Sequence, residues 1–594
     1  MKCCARLLSL AMVALCILGC KKDDDDDSSD DATAATISTA SGSSYSPAQH
    51  IYIDVSGKYS TDGSSWTTIQ AAASSSAAPT VCGDGDTVYY TMYNDESTGV
   101  IRIDLSDVSK TTAVHLSGTM TAGGVKIQTS KTYETGVYLE NVSITSSNFP
   151  CIELTKKGAV SVFVSGDNVL KDGRSYGTGY GEEYSTTSGT YTDEDGNTAS
   201  CTVVQKAVQN GSDAKGTLYA KGDMTISGSG TLTVTQAYKN CIASKSILTI
   251  ESGTFTLQNY LSDSTKTSAT GKNGLFGAQG VAVTGGTVAF NGYGIISTSD
   301  LRKANGFKTD DDDYSDSWVK ITGGTVNVTT YNGKGITAPR IYIKGGTNTF
   351  TVTGTTNYAE RTSTGSWYDA DGVKESGTVK FAPEGIEGES AISISGGTTF
   401  ISAPDDGVNV SNTGGALTIS GGVLYVRSQG DGLDSNGNIT ISGGTTVVSQ
   451  TGGGNSPIDC GDSGYKFTVT GSDATVFAMG SSDMFSESIP SSTASPMMYT
   501  TSLGSSASSL GVDGVIGVTS PQNYAAAILV SSKLTSGTSY SFVKGGTITG
   551  TTVIDGVYFP ATVAGGSSTA VTATTQGSSS SGTMQGGGNR PGSR

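Results

Sequence analysis

The chain has 594 residues, enough for a large core, and its 82 glycines with only 7% aromatics suit a turn-rich all-β protein rather than a helical enzyme. A net charge of -17 argues against nucleic acid as a partner, and against an acidic polysaccharide unless a cation bridges the two. With His50 and His115 the only histidines, a Ser-His-Asp triad or a multi-His metal site is not expected.

Residues 1–20 read as a signal peptide: Lys2 and Arg6, then an apolar run over 7–18 that is too short to span a bilayer. The run ends Ile17-Leu18-Gly19-Cys20, which resembles a bacterial lipobox and makes Cys20 the expected lipidated first residue. Removing Lys2 and Arg6 leaves 34 − 53 = -19 on the mature side chains. Lys21-Lys22 and five aspartates at 23–27 resemble the export signal of Bacteroidetes-type surface lipoproteins. The expectation is a protein lipid-anchored to the outer membrane and exposed at the cell surface, with residues 21–48 as a disordered acidic, Ser/Thr-rich tether.

Residues 49–464 are expected to form the body, because one phrase keeps returning there. It reads Val281-Ala282-Val283-Thr284-Gly285-Gly286, Val319-Lys320-Ile321-Thr322-Gly323-Gly324 and Ile341-Tyr342-Ile343-Lys344-Gly345-Gly346. Copies follow at Ile392, Leu417 and Ile439, and weaker ones precede at Met224 and Leu248. Alternation sets Ile, Val or Leu on one face and Ser or Thr on the other, Gly-Gly turns a corner, and β-branched residues start the next strand. No copy buries its own apolar face, so copies must stack. The start-to-start intervals are 38, 22, 51, 25 and 22. Intervals of 22 to 25 fit one coil of a parallel β-helix. The 38 reads as one coil plus an insertion and the 51 as two coils with extra residues. Residues 176–201 and 357–379 look like insertions, and the acidic cluster 310–313 with Asp316 reads as a solvated loop.

Carboxylates recur between the Gly-Gly phrases. Glu384-Gly385-Ile386-Glu387, Asp406-Gly407-Val408-Asn409, Asp431-Gly432-Leu433-Asp434 and Ser456-Pro457-Ile458-Asp459 fall over one another at coil spacing, and Lys334-Gly335-Ile336-Thr337 takes the same place earlier. In register they form two columns, Glu384/Asp406/Asp431/Ser456 and Glu387/Asn409/Asp434/Asp459. Carboxylates on adjacent coils about 4.8 Å apart repel by roughly 1–4 kcal/mol. Such a stack calls for a cation or thorough solvation, and an oxygen-only set favours Ca²⁺. Glu384, Glu387, Asp406, Asn409, Asp431, Asp434 and Asp459 are the candidate ligands; ordinary solvated Asp-Gly turns are the alternative.

A resemblance rests on residues 136–154 (GVYLENVSITSSNFPCIEL), the Val160–Gly166 phrase, Gly216 to Ile226, and the closing Asp-Gly-Val-Asn and Gly-Asp-Gly-Leu-Asp-Ser-Asn-Gly phrases. Over about residues 100–490 this order resembles a family of secreted carbohydrate-binding proteins. That resemblance implies a right-handed parallel β-helix related to polysaccharide lyases, binding to cellulose and polygalacturonate, and calcium. Residues 465–563 keep β patterning without the phrase and are expected to cap the open end, and 564–594 form a disordered Gly/Ser tail. The mature cysteines, Cys82, Cys151, Cys201, Cys241 and Cys460, are too widely spaced for a metal site and are read mostly as core, with one disulfide left open.

The leading functional expectation is a non-catalytic surface lipoprotein that binds polysaccharide on one flat face, with Trp318, Tyr331, Tyr342, Trp367 and Tyr425 as stacking candidates and Ca²⁺ bridging uronates. A calcium-dependent lyase is the alternative; β-elimination needs a base of high pKa, for which Lys334, Arg340 and Arg427 are the candidates. A structural adhesin binding a protein partner is the third reading.

Overall fold

The computed structural model describes residues 45–576, apart from 73–79, 85–86, 96–98, 148, 157, 175–182, 193–197, 208–213, 237, 265–269, 297–300, 310–313, 355–366, 369–373, 376–381 and 462–463. The signal segment with Cys20, most of the tether, the 310–313 cluster and the end of the tail therefore lie outside the described residues. The protein is all-β. Helix is limited, among the described residues, to one 3₁₀ turn at Phe485–Ser488.

Alternating sequence produces three parallel ladders, each joining a strand to its counterpart one passage of chain later. One ladder holds the apolar half of the repeated phrase: Val281 pairs Val319, then Ile341, Ile392, Leu417, Ile439 and Phe467 in turn. All seven point inward and are essentially solvent-free. The second ladder follows the corner, from Asp167–Asp172 through Thr231–Gln236, Thr254–Gln258, Thr287–Tyr293 and Thr325–Tyr331. The third runs from Val100–Asp104 through Gly124–Gln128, Ile152–Thr155 and Gly216–Ala220 to Val408–Val410, Leu433–Ser435 and Ile458–Cys460. The chain visits each ladder once per passage, so inward residues from all three merge into one continuous apolar core.

The Gly-Gly corners stack on one another. Gly286, Gly324, Gly346, Gly397, Gly422 and Gly444 all adopt φ between +73° and +81°. A Cβ on Gly397 would lie 2.5 Å from the Gly345 carbonyl carbon of the passage below. Both the left-handed backbone and the close approach require glycine.

One interval is corrected by the pairing. Ile341 pairs Ile392 directly, so the 51-residue interval is one coil carrying a long insertion, not two coils. The extra residues leave the stack after Thr353, include the short hairpin Trp367–Tyr368 with Lys374–Glu375, and return at Ile386. Periodicity alone could not tell an excursion from a second coil, because both add a similar length of chain.

Both ends of the stack are closed by antiparallel pairing. Thr80–Asp84, Thr87–Asp95 and Val100–Asp104 form a meander at the first end. At the other, Ala526–Val530 pairs antiparallel with Thr475–Gly480, covering a strand edge that would otherwise be open. Beyond it, six antiparallel strands from Ser509–Val512 to Ser567–Thr572 form a separate sheet. Its Leu510, Val518 and Phe542 pack on outward-facing Tyr425, Val447 and Phe477 of the last coils.

Candidate cation site and saccharide surface

The third ladder sets the carboxylates in register. Thr337 pairs Glu387, Glu387 pairs Asn409, Asn409 pairs Asp434, and Asp434 pairs Asp459, one column across five passages. The inward residues between the columns, Ile336, Ile386, Val408, Leu433 and Ile458, are all fully buried and hold the spacing. The neighbouring column is tied by backbone: Gly385 donates to the Asp406 carbonyl, Gly407 to that of Asp431 and Gly432 to that of Ser456. Side chains join it too, with the Asp431 N–H donating to Asp406 Oδ1 at 2.7 Å and the Ser456 N–H to Asp431 Oδ1 at 2.5 Å.

The two ends of this surface are balanced differently. At the Lys334 end an internal cation is built in: its Nζ lies 3.0 Å from Glu384 Oε2 and 2.5 Å from Glu387 Oε2. Burial disfavours charge on Lys334, but the two carboxylates outweigh it and push its pKa up. Two carboxylates share one ammonium. Burial lifts the pKa of Glu384 to about 7 despite Lys334, whereas Glu387, less buried and also opposed by burial, is held below its ordinary value by Lys334. Asn409 Nδ2 donates to Glu384 Oε1 at 3.1 Å, and Thr337 to Glu387 Oε2 at 3.1 Å.

Farther along, carboxylate oxygens of Asp406, Asp431 and Asp434 all lie within 4.8 Å of one another. Burial, and then the charges of Asp434 and Asp431, drive the Asp406 pKa well above the usual carboxylate range. Two oxygens bound to one Ca²⁺ at about 2.4 Å each lie at most about 4.8 Å apart, so the cluster has the right size for one ion. Asn409, the register neighbour of Asp434, keeps its Oδ1 buried without a hydrogen-bond partner. An orphaned neutral oxygen on the register neighbour of Asp434 is donor chemistry that fits Ca²⁺. Asp459 is buried one passage beyond Asp434 and outside the converging trio.

The aromatic candidates separate. Trp318 is half-buried, its ring lies over Gly280, and with exposed Tyr314, Gln279 and Asp316 it lines a shallow groove of about 400 Å³. Arg340 pairs with Asp316 at that groove, at 2.6 Å. Tyr331 stacks on Tyr293 of the preceding passage at 4.7 Å, so one of its faces is used internally. Tyr342 is half-buried, with the Lys344 ammonium 5.8 Å from its ring centre. Trp367 is placed on a strand, but its side chain lies outside the described residues. Tyr425 is not on an open face: the C-terminal sheet covers it and leaves it 2% exposed.

The description "carbohydrate-binding domain-containing protein" matches this sequence over residues 104–414 and 375–577. The chain belongs to that family. Its match runs through the ladders, the carboxylate columns and the C-terminal sheet. No curated protein matches. Among solved structures, a polysaccharide lyase-like protein from C. thermocellum, as a gadolinium derivative, is similar at 16% identity and a TM-score of 0.30, covering 66% of this chain and 96% of that one.

Within this member of the carbohydrate-binding family, several site features have no local signal. Tyr314 and Asp316 come to Trp318 from an insertion, and Gln279 from the preceding passage. At the first end Tyr52, His115, Tyr138 and Phe163 are register partners whose rings stack at 4.4 to 4.5 Å. His115 Nε2 lies 3.0 Å from His50 Nδ1, and its Nδ1 3.0 Å from Glu140. Only the register between passages, counted to the fourth residue of each strand, could have found that column. Cys151, Cys241 and Cys460 are free thiols, the first two buried in the core; burial pushes each thiol pKa up.

Proposed function

We propose that this carbohydrate-binding family member is a non-catalytic polysaccharide-binding protein in which a divalent cation, best Ca²⁺, sits on Asp406, Asp431 and Asp434 and bridges to uronate carboxylates. The observation that carries this reading is the convergence of those three carboxylates on a half-buried spot of an otherwise acidic protein. A bridging ion removes the repulsion within the cluster and supplies the positive charge an acidic glycan needs. We read the three ladders as the coils of a right-handed parallel β-helix, supported by their passage-by-passage parallel pairing. Trp318 and Tyr314 are the best placed of the aromatics to stack on a sugar ring, with Gln279 and Asp316 beside them for its hydroxyls.

Binding is favoured over lyase chemistry by the state of Lys334. A base for β-elimination must reach substrate and give up its proton, and Lys334 is 7% exposed and clamped by two carboxylates that raise its pKa. Arg340 is committed to Asp316. In the same proposal the chain is tethered to the outer membrane through a lipid on Cys20 and faces outward; loss of lipid labelling in Cys20→Ser checks that part. The binding reading is tested by retention on insoluble polygalacturonate, with calcium and with chelator. Retention that calcium raises above its level in chelator supports it. Equal retention in chelator removes the cation from the account, and no retention in either condition removes the uronate.

A further inference from the structure

A second cleft lies where the outer face of the last coils meets the C-terminal sheet. It has a volume of about 530 Å³, within the range of small-ligand sites. Its floor comes from register partners on three successive passages: Thr349 pairs Phe400, and Phe400 pairs Tyr425. Its roof is the end of the strand Ile516–Thr519 with Ser520, and the two-residue Asp555-Gly556 turn between Thr547–Ile554 and Val557–Ala564. Gly556 takes φ +77°, and its carbonyl accepts the Thr519 N–H at 2.8 Å, fixing the turn over the ladder face.

Three polar groups lining this cleft form no side-chain hydrogen bond or ion pair with any described residue. Tyr425 is 2% exposed, and its Oη is buried with no hydrogen bond. A buried hydroxyl left unsatisfied costs about 1–3 kcal/mol, so its persistence calls for an explanation. Arg427 and Asp555 both line the cleft, yet neither forms an ion pair or side-chain hydrogen bond with any described residue. Burial pushes the Tyr425 phenol pKa up, which keeps its O–H available as a donor. Phe400, half-buried and edge-on to Tyr425 at 5.5 Å, offers an apolar surface beside these groups.

We infer that this cleft is a second saccharide site, taking a short acidic oligosaccharide or chain end without a metal ion. The guanidinium fork of Arg427 receives the sugar carboxylate, Asp555 accepts hydroxyls, Tyr425 Oη donates to a ring substituent, and Phe400 faces the apolar side of the sugar. This rests on the polysaccharide-binding reading above but not on its cation, since no residue of the cleft belongs to the carboxylate columns. The C-terminal sheet is thereby part of the binding apparatus as well as an end cap.

The test is calorimetric titration of the protein with digalacturonate in excess chelator, beside an uncharged galactose disaccharide. The wild type binds digalacturonate in chelator and prefers it to the neutral sugar. Arg427→Gln weakens that binding by at least about tenfold, the loss of one charge-assisted bidentate contact. Tyr425→Phe, which removes only the orphaned oxygen, weakens it as well while leaving the unfolding midpoint unchanged or higher. No binding by the wild type in chelator, or unchanged binding by both variants, overturns the inference. Calcium-dependent retention on polygalacturonate, measured on the same proteins, separates the two readings. Its loss with chelator-resistant digalacturonate binding intact removes the cation reading and upholds this site; its survival with no digalacturonate binding in chelator does the reverse.

Discussion

The ammonium of Lys334 lies 3.0 Å from the carboxylate of Glu384, with both side chains almost wholly buried. This pair shows how the protein handles stacked carboxylates at one end of the column: it supplies a cation of its own. One and two passages beyond Glu384, carboxylate oxygens of Asp406, Asp431 and Asp434 come within 4.8 Å of one another, which is where an external cation is proposed.

Removing the built-in cation should be costly. Lys334→Met leaves Glu384 and Glu387 facing each other in a desolvated place, and breaking a buried pair by deleting one partner costs about 3–5 kcal/mol. Urea unfolding of the variant should show that loss, and Lys334→Met combined with Glu384→Gln and Glu387→Gln should recover most of it. A loss under about 1 kcal/mol would mean the carboxylates are solvated after all.

The pH dependence without calcium follows from Glu384. In the folded protein its pKa is raised by burial to about 7, whereas in an unfolded chain a glutamate releases its proton near about 4.3. Between those values the folded state binds more protons, so this group's contribution to stability falls as pH rises from about 4.3 to 7. Asp406, shifted in the same direction by burial and its acidic neighbours, adds to the trend. In chelator the unfolding midpoint should be higher at the acidic side of this window than at neutral pH. Glu384→Gln should flatten the slope, and saturating calcium should reverse it, because protons and cation compete for Asp406.

No unsaturated uronate ends should accumulate when the protein is incubated with polygalacturonate and calcium, followed by ultraviolet absorbance. Lys334 is clamped, Arg340 is paired with Asp316, and Arg427 lines the cleft under the C-terminal sheet away from the carboxylate columns, so none is placed to serve as the base there. Steady production that is abolished by Lys334→Met would restore the lyase reading.

Gly422→Ala should destabilise by more than about 1 kcal/mol, since φ is +79° and the new Cβ would meet the Gly396 carbonyl carbon at 2.7 Å. Gly454→Ala, also at positive φ (+76°) but with open space around its Cβ, isolates the backbone part of that cost. Comparing their thermal unfolding separates the corner's left-handed geometry from its crowding.

Much of this architecture is legible in the sequence because each coil repeats one rule. Alternation fixes which residues face inward, Gly-Gly fixes the corner, and together with the coil spacing they put Glu387, Asn409, Asp434 and Asp459 in one column. What is not legible depends on contacts between distant parts. The insertion before Ile386 mimics the length of a coil, so the 51-residue interval reads wrongly. Tyr425 looks like an outward aromatic because nothing near it announces the sheet that will cover it from residues a hundred positions later. The groove at Trp318 draws Tyr314 and Asp316 from an insertion whose sequence reads only as a solvated acidic loop.

The central claim is that Asp406, Asp431 and Asp434 hold one divalent cation on which acidic polysaccharide binding depends. Its most direct test is calorimetric titration of calcium into the metal-free protein and its Asp431→Asn variant, each then assayed for polygalacturonate retention. The account predicts saturable calcium binding by the wild type, weakened at least about tenfold by Asp431→Asn, with the calcium-dependent part of retention lost in parallel. Wild-type and variant proteins that bind calcium and polygalacturonate equally well would contradict it.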